Sequence, residues 1–99
     1  MNSLNPPPAA QRSKESIEMV RAWIIDSELM CSLNVGVFGE NETITWGILL
    51  SDIARHIANA LEESEGIPHE RTLEAIVKSF NFEVRRTDSE ANGTFIHKH

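Results

Sequence analysis

Residues Thr45–Glu63, TWGILLSDIARHIANALEE, carry the longest continuous helical periodicity in the chain. Set on a wheel at about 100° per residue, Trp46, Leu49, Leu50, Ile53, Ala54, Ile57, Ala60 and Leu61 fall in one connected arc, with Ala58 at its edge. The arc spans roughly 200°, wider than the stripe of an ordinary surface helix. Two separate surfaces are therefore needed to cover it. Asp52, Arg55, Asn59, Glu62 and Glu63 occupy the opposite side. Thr43 or Thr45 is expected as N-cap, and Gly66 as the left-handed residue that ends the helix.

Upstream, Ser16–Asp26 (SIEMVRAWIID) and Leu29–Phe38 (LMCSLNVGVF) alternate with the period of a strand. Val20, Ala22 and Ile24 share one face of the first; Leu29, Cys31, Leu33, Val35 and Val37 form an unbroken apolar face of the second. Asp26-Ser27-Glu28 is turn-rich, so an antiparallel hairpin is expected. A two-residue loop at Ser27-Glu28 would pair Ile24 with Cys31, Ala22 with Leu33 and Val20 with Val35, placing both apolar sets where the long helix can cover them. A one-residue slip would split the sets between faces. The other face carries Met19, Trp23, Ile25 and Met30 beside polar residues. Cys31, set among apolar neighbours, is expected as a small buried thiol.

Downstream, Pro68–Arg86 reads as a second helix, with Pro68 at its first position. Leu73, Ile76, Val77, Phe80 and Val84 make one stripe, and Phe82 lies almost opposite it. The fold class is α+β: an N-terminal antiparallel β-hairpin followed by two α-helices (ββαα), the helices packed on one sheet face. A lone hairpin is marginal and its edges are open to pairing, so the sheet is expected to be extended by dimerisation. Residues 1–14 are read as an extended proline-rich arm, 15–86 as the single domain, and 87–99 as a flexible tail.

The chain has 99 residues, a net charge of −6 and 40% hydrophobic residues. A domain this short buries only about 60–65% of its unfolded surface, which favours a homo-oligomer, most simply a dimer. The acidic balance argues against nucleic acid, whose binding rests on clustered Lys and Arg, and against an anionic membrane surface. No apolar run approaches transmembrane length. Cys31 is the single cysteine; that excludes an intrachain disulfide and fits a reducing, cytoplasmic setting.

Candidate chemistry is sparse. Asp52 and His56, four residues apart on the long helix, form the one pair in which a carboxylate could orient a histidine for acid–base work. The same spacing is common on amphipathic helices, where it gives a surface hydrogen bond. His69, His97 and His99 lack the spacing of a structural zinc site, so no metal is expected, and no phosphate-binding loop or other cofactor motif is present. Trp23, Met30 and Phe82, large apolar residues outside the expected core, are the candidate interaction residues. These features favour a non-enzymatic, homodimeric protein-interaction module. The alternative is a small-ligand binder or enzyme with its pocket between the sheet and the long helix.

Four stretches, Pro6-Pro7-Pro8-Ala9-Ala10, Val20-Arg21-Ala22-Trp23-Ile24, Cys31-Ser32-Leu33 and Trp46-Gly47-Ile48-Leu49-Leu50-Ser51-Asp52, resemble an uncharacterised bacterial family, the domain of unknown function DUF5076. The resemblance spans residues 5–85. It implies a stand-alone bacterial domain and brings no catalytic residue with it.

Overall fold

Two positive-φ residues at the hairpin tip set the geometry of the sheet. Asp26 (φ 50°) and Ser27 (φ 68°) form the two-residue loop, the pattern of a type I′ turn, whose twist matches that of the strands it joins. The computed structural model describes residues 2–86; the expected flexible tail, 87–99, lies outside them. Strand β1 (Val20–Ile25) pairs antiparallel with β2 (Glu28–Leu33), with Val20 opposite Leu33, Ala22 opposite Cys31, and Ile24 opposite Leu29. The register is thus two residues away from the expected one. The loop is Asp26-Ser27 rather than Ser27-Glu28, because both positions take the left-handed conformation and Glu28 is left to close the ladder opposite Ile25. A shift of two preserves the face of every side chain, so the two apolar sets still share one side.

Before the hairpin, Pro7 keeps a polyproline-like backbone (φ −57°, ψ 145°), but Pro8–Arg12 forms a single helical turn, α1, where a wholly extended arm was expected. Pro8 opens that turn, where its missing N–H costs nothing. After the hairpin the chain passes through a 3₁₀ turn, Gly39–Asn41, into α2 (Glu42–Glu65), then through Gly66–Pro68 into α3 (His69–Val84). Helix α2 begins three residues before Thr45. Neither threonine caps it; Asn41 holds the cap position, with no side-chain bond to the helix. Its other end is as expected: Gly66 is left-handed (φ 71°), and its N–H donates to the Glu62 carbonyl at 3.1 Å. Pro68 sits one position before the first residue of α3, its carbonyl accepting from the N–H groups of Arg71 and Thr72.

The ββαα order and the mixed α+β class follow the sequence reading; the covering of the sheet does not. Helices α2 and α3 pack on each other as a helical hairpin, with Ala58 fully buried and Ala54, Leu61, Leu73 and Ile76 partly so. The strands pack on each other, but the helix pair leaves their apolar face open: Ile24, Leu29, Cys31 and Leu33 are all exposed. Cys31 is therefore not the buried thiol expected. No helix among the described residues is long and apolar enough to cross a membrane.

Candidate interaction surface

A carboxylate fixes how the hairpin joins the helices. Glu42, in the first turn of α2, accepts hydrogen bonds from the backbone N–H of Gly36 (2.8 Å) and of Phe38 (2.9 Å), and from the indole Nε1–H of Trp46 one turn on (2.8 Å). The Gly36 N–H, then the Phe38 N–H, then the Trp46 indole hold the Glu42 carboxyl below its ordinary value of 4.5. On the strand side, the Asn34 N–H donates to the Met19 carbonyl at 3.0 Å, extending the ladder past β2. The connection between sheet and helix is therefore tied at both ends. Gly36 takes φ 90°, a conformation in which a side chain would be strained.

The clamp leaves two apolar faces side by side in the sequence plan but apart in the fold. One is the hairpin face of Ile24 (50% exposed), Leu29 (48%) and Leu33 (55%), continued by Val35. The other is a stripe on α2, Leu50 (45% exposed), Ile53 (38%) and Ile57 (43%), extended on α3 by Phe80. The wide arc of α2 thus receives one of its two required covers. Helix α3 takes the Ala54, Ala58 and Leu61 part; the Leu50, Ile53 and Ile57 part has none within the described residues. Fully burying such a side chain is worth about 1.5–3 kcal/mol. Eight of them left roughly half uncovered forgo on the order of 10 kcal/mol, comparable with the net stability of a whole domain.

The candidate residues sit as follows. Trp23 and Met30 are a directly opposed cross-strand pair on the second hairpin face; Trp23 is half-buried and Met30 exposed. Phe82 projects from the far side of α3, which continues past Asn81 to Val84, and is 66% exposed. Asp52 and His56 are both exposed and not brought together: the Asp52 carboxylate accepts from Arg55 Nη1 instead. Sequence reasoning missed two sites of fixation. One is Glu42; its signal in the sequence is a glutamate four residues before a tryptophan and just after Gly36 and Gly39. The other is the α2–α3 corner, where Glu62 Oε2 accepts from the His69 backbone N–H (3.1 Å) and Asn59 Oδ1 lies 2.7 Å from His69 Nδ1. A carboxylate at the start of α3 also complements its dipole.

Hollows border these surfaces. Residues 2–7 of the arm lie beside β1, and together they line one of about 340 Å³ that reaches Trp23. An open groove of about 480 Å³ runs between α2 and α3, with Ala54, Leu73 and Val77 as its floor and Arg55, Glu74 and Lys78 on its rim. No group of three His, Cys, Asp or Glu residues suited to a metal ion occurs among the described residues.

The profile of the family described as "Domain of unknown function (DUF5076)" matches residues 3–87. The chain belongs to that family. No curated protein matches it. Among solved structures, the DUF5076 chain is similar to one described as "Structure of a putative pyruvate dehydrogenase from the photosynthetic bacterium Rhodopseudomonas palustrus CGA009", with a TM-score of 0.69 and 26% identity. The match covers 100% of this chain and 95% of the other, so the two domains correspond nearly end to end.

Proposed function

We propose that this DUF5076 chain is a cytoplasmic self-association module whose working unit is a homodimer. The observation that carries the reading is the state of its apolar side chains. Among the described residues Ala58 is the one fully buried apolar side chain, while eighteen large hydrophobic ones are exposed. An unaccompanied monomer seldom exposes contiguous apolar patches of this kind. Dimerisation would remove them from water and supply the stability that a small core lacks. Basic surface for nucleic acid is meagre: the one basic strand residue, Arg21, is paired with Glu18 at 2.9 Å. Sedimentation at tens of micromolar tests the reading. A dimer is expected; a monomer at that concentration overturns it.

A second reading takes its support from the likeness to the Rhodopseudomonas protein. On that reading the chain binds a small keto acid, with His56 as the candidate binding side chain. Thermal-shift measurement with pyruvate, comparing the natural chain with His56→Ala, tests it. Stabilisation that depends on His56 supports the second reading; equal curves with and without pyruvate remove it.

A further inference from the structure

The hairpin is a two-stranded sheet, so each strand has one edge whose backbone groups point away from its neighbour. Parity decides which groups those are. The Asn34 N–H donates to the Met19 carbonyl in register with the ladder, so Ser32, Met30 and Glu28 turn their backbone groups inward to β1. Inward and outward bonding alternates along an antiparallel strand, and Leu29, Cys31 and Leu33 therefore turn theirs outward. On β1 the outward set is Val20, Ala22 and Ile24. The two edges differ in cover. Residues 2–7 of the arm lie beside β1, where Val20 and Trp23 are half-buried, whereas every residue of β2 is exposed. Glu28–Leu33 also lacks Pro and Lys, the residues with which an edge strand is commonly kept from pairing.

We infer that β2 pairs antiparallel with β2 of a second copy about a two-fold axis at Cys31, joining two hairpins into a four-stranded sheet. This rests on the self-association reading and adds to it the edge and the register. The stretch Leu29-Met30-Cys31-Ser32-Leu33 selects a second copy as the occupant. Its outward positions read Leu, Cys, Leu in either direction, so a two-fold axis sets Leu29 against Leu33 of the second copy and Cys31 against its own counterpart. In that register all three outward residues exchange both backbone bonds. Moving the axis to Met30 or Ser32 leaves one of the three without a strand partner, and an axis between residues sets outward groups against inward ones. Directly opposed side chains share a face, so the apolar faces of the two hairpins become one. Glu28 then lies opposite the neutral Asn34 of the second copy. The equivalent pairing of two β1 edges about Ala22 sets Glu18 opposite Asp26, like charges that destabilise a ladder.

Hydrogen exchange of the isotope-labelled full chain, read amide by amide at tens of micromolar, tests the pairing. The Leu29, Cys31 and Leu33 amides are expected to exchange at least about tenfold more slowly than the outward Val20, Ala22 and Ile24 amides of β1. Equal rates on the two edges overturn the inference, and so does slower exchange on the β1 edge. A matched pair of variants supplies a second readout. Cys31→Pro removes one outward N–H and no bond of the hairpin itself, and Ala22→Pro does the same on the other edge. Cys31→Pro is expected to raise the dimer dissociation constant at least about tenfold, with Ala22→Pro within about twofold of the natural chain; equal effects or the reverse order overturn the inference. Where either variant unfolds, exchange in the natural chain still decides. Sedimentation of the natural chain separates the two ideas: a monomer sinks self-association along with the edge pairing, whereas a dimer whose Leu29, Cys31 and Leu33 amides exchange freely sinks the edge pairing alone.

Discussion

At the scale of single residues, Glu42 matters most to the shape of the chain. Its folded carboxyl titrates below the ordinary value of 4.5, because the Gly36 and Phe38 N–H groups and the Trp46 indole bond the ionised form. The clamp is accordingly intact above pH 4.5 and is lost as pH falls through the folded value. In a Trp23→Phe background, Trp46 fluorescence is expected to hold constant from pH 7 to 5 and to change below 4.5; in Glu42→Gln the low-pH change should be absent. The hairpin loop gives a second residue-scale prediction. Ser27 holds φ 68°, a conformation that costs a non-glycine residue about 1 kcal/mol, and Asp-Gly is a preferred pair for this turn. Ser27→Gly is expected to stabilise the fold by about 0.5 kcal/mol after the extra unfolded-state entropy of glycine, read as a rise in denaturation midpoint. The register error has its origin here: Ser27-Glu28 and Asp26-Ser27 are equally polar, and composition does not reveal which pair tolerates two positive φ angles. Glu42 was equally hard to read, because two of its three partners are backbone N–H groups six and four residues earlier, which leave no mark on side-chain pattern; the spacing to Trp46 is the one trace it leaves.

At the scale of elements, periodicity carried real information. The hairpin, both helices and the Gly66 stop are legible in the alternation of Val20–Leu33, the wide arc of α2 and the stripe of α3. The arc also announced that α2 needs two covers, and α3 is one of them. The seam between the helices turns on Ala58, which is fully buried. Replacing it with leucine adds volume where nothing yields, and is expected to cost about 1–3 kcal/mol and lower the thermal midpoint, whereas Ala60→Leu, on an exposed position, should be close to neutral. What periodicity does not reveal is the direction in which a connection sends an element. Faces that match in pattern were expected to meet within one chain; a clamp built on the Glu42 carboxylate points the hairpin elsewhere.

At the scale of the whole molecule, the fold is a set of well-formed elements with little buried interior, and on the proposed reading assembly is part of its stability. If the dimer is the folded unit, its thermal midpoint rises with protein concentration; a midpoint unchanged between 5 and 100 μM would speak for a self-sufficient monomer. A charge placed on either open face should act on assembly first. On the proposed reading, Leu33→Lys or Ile53→Lys places a charge on an apolar face that assembly would bury; at about 2 kcal/mol in each of two copies, the dimer dissociation constant is expected to rise on the order of a thousandfold. The same substitutions should leave the helical circular dichroism of the dissociated chain largely unchanged, since neither side chain is buried in the single copy. The most direct measurement is sedimentation equilibrium of the natural chain at tens of micromolar. The account predicts a species of twice the 11.1 kDa of one chain; a single 11.1 kDa species across that range would contradict it.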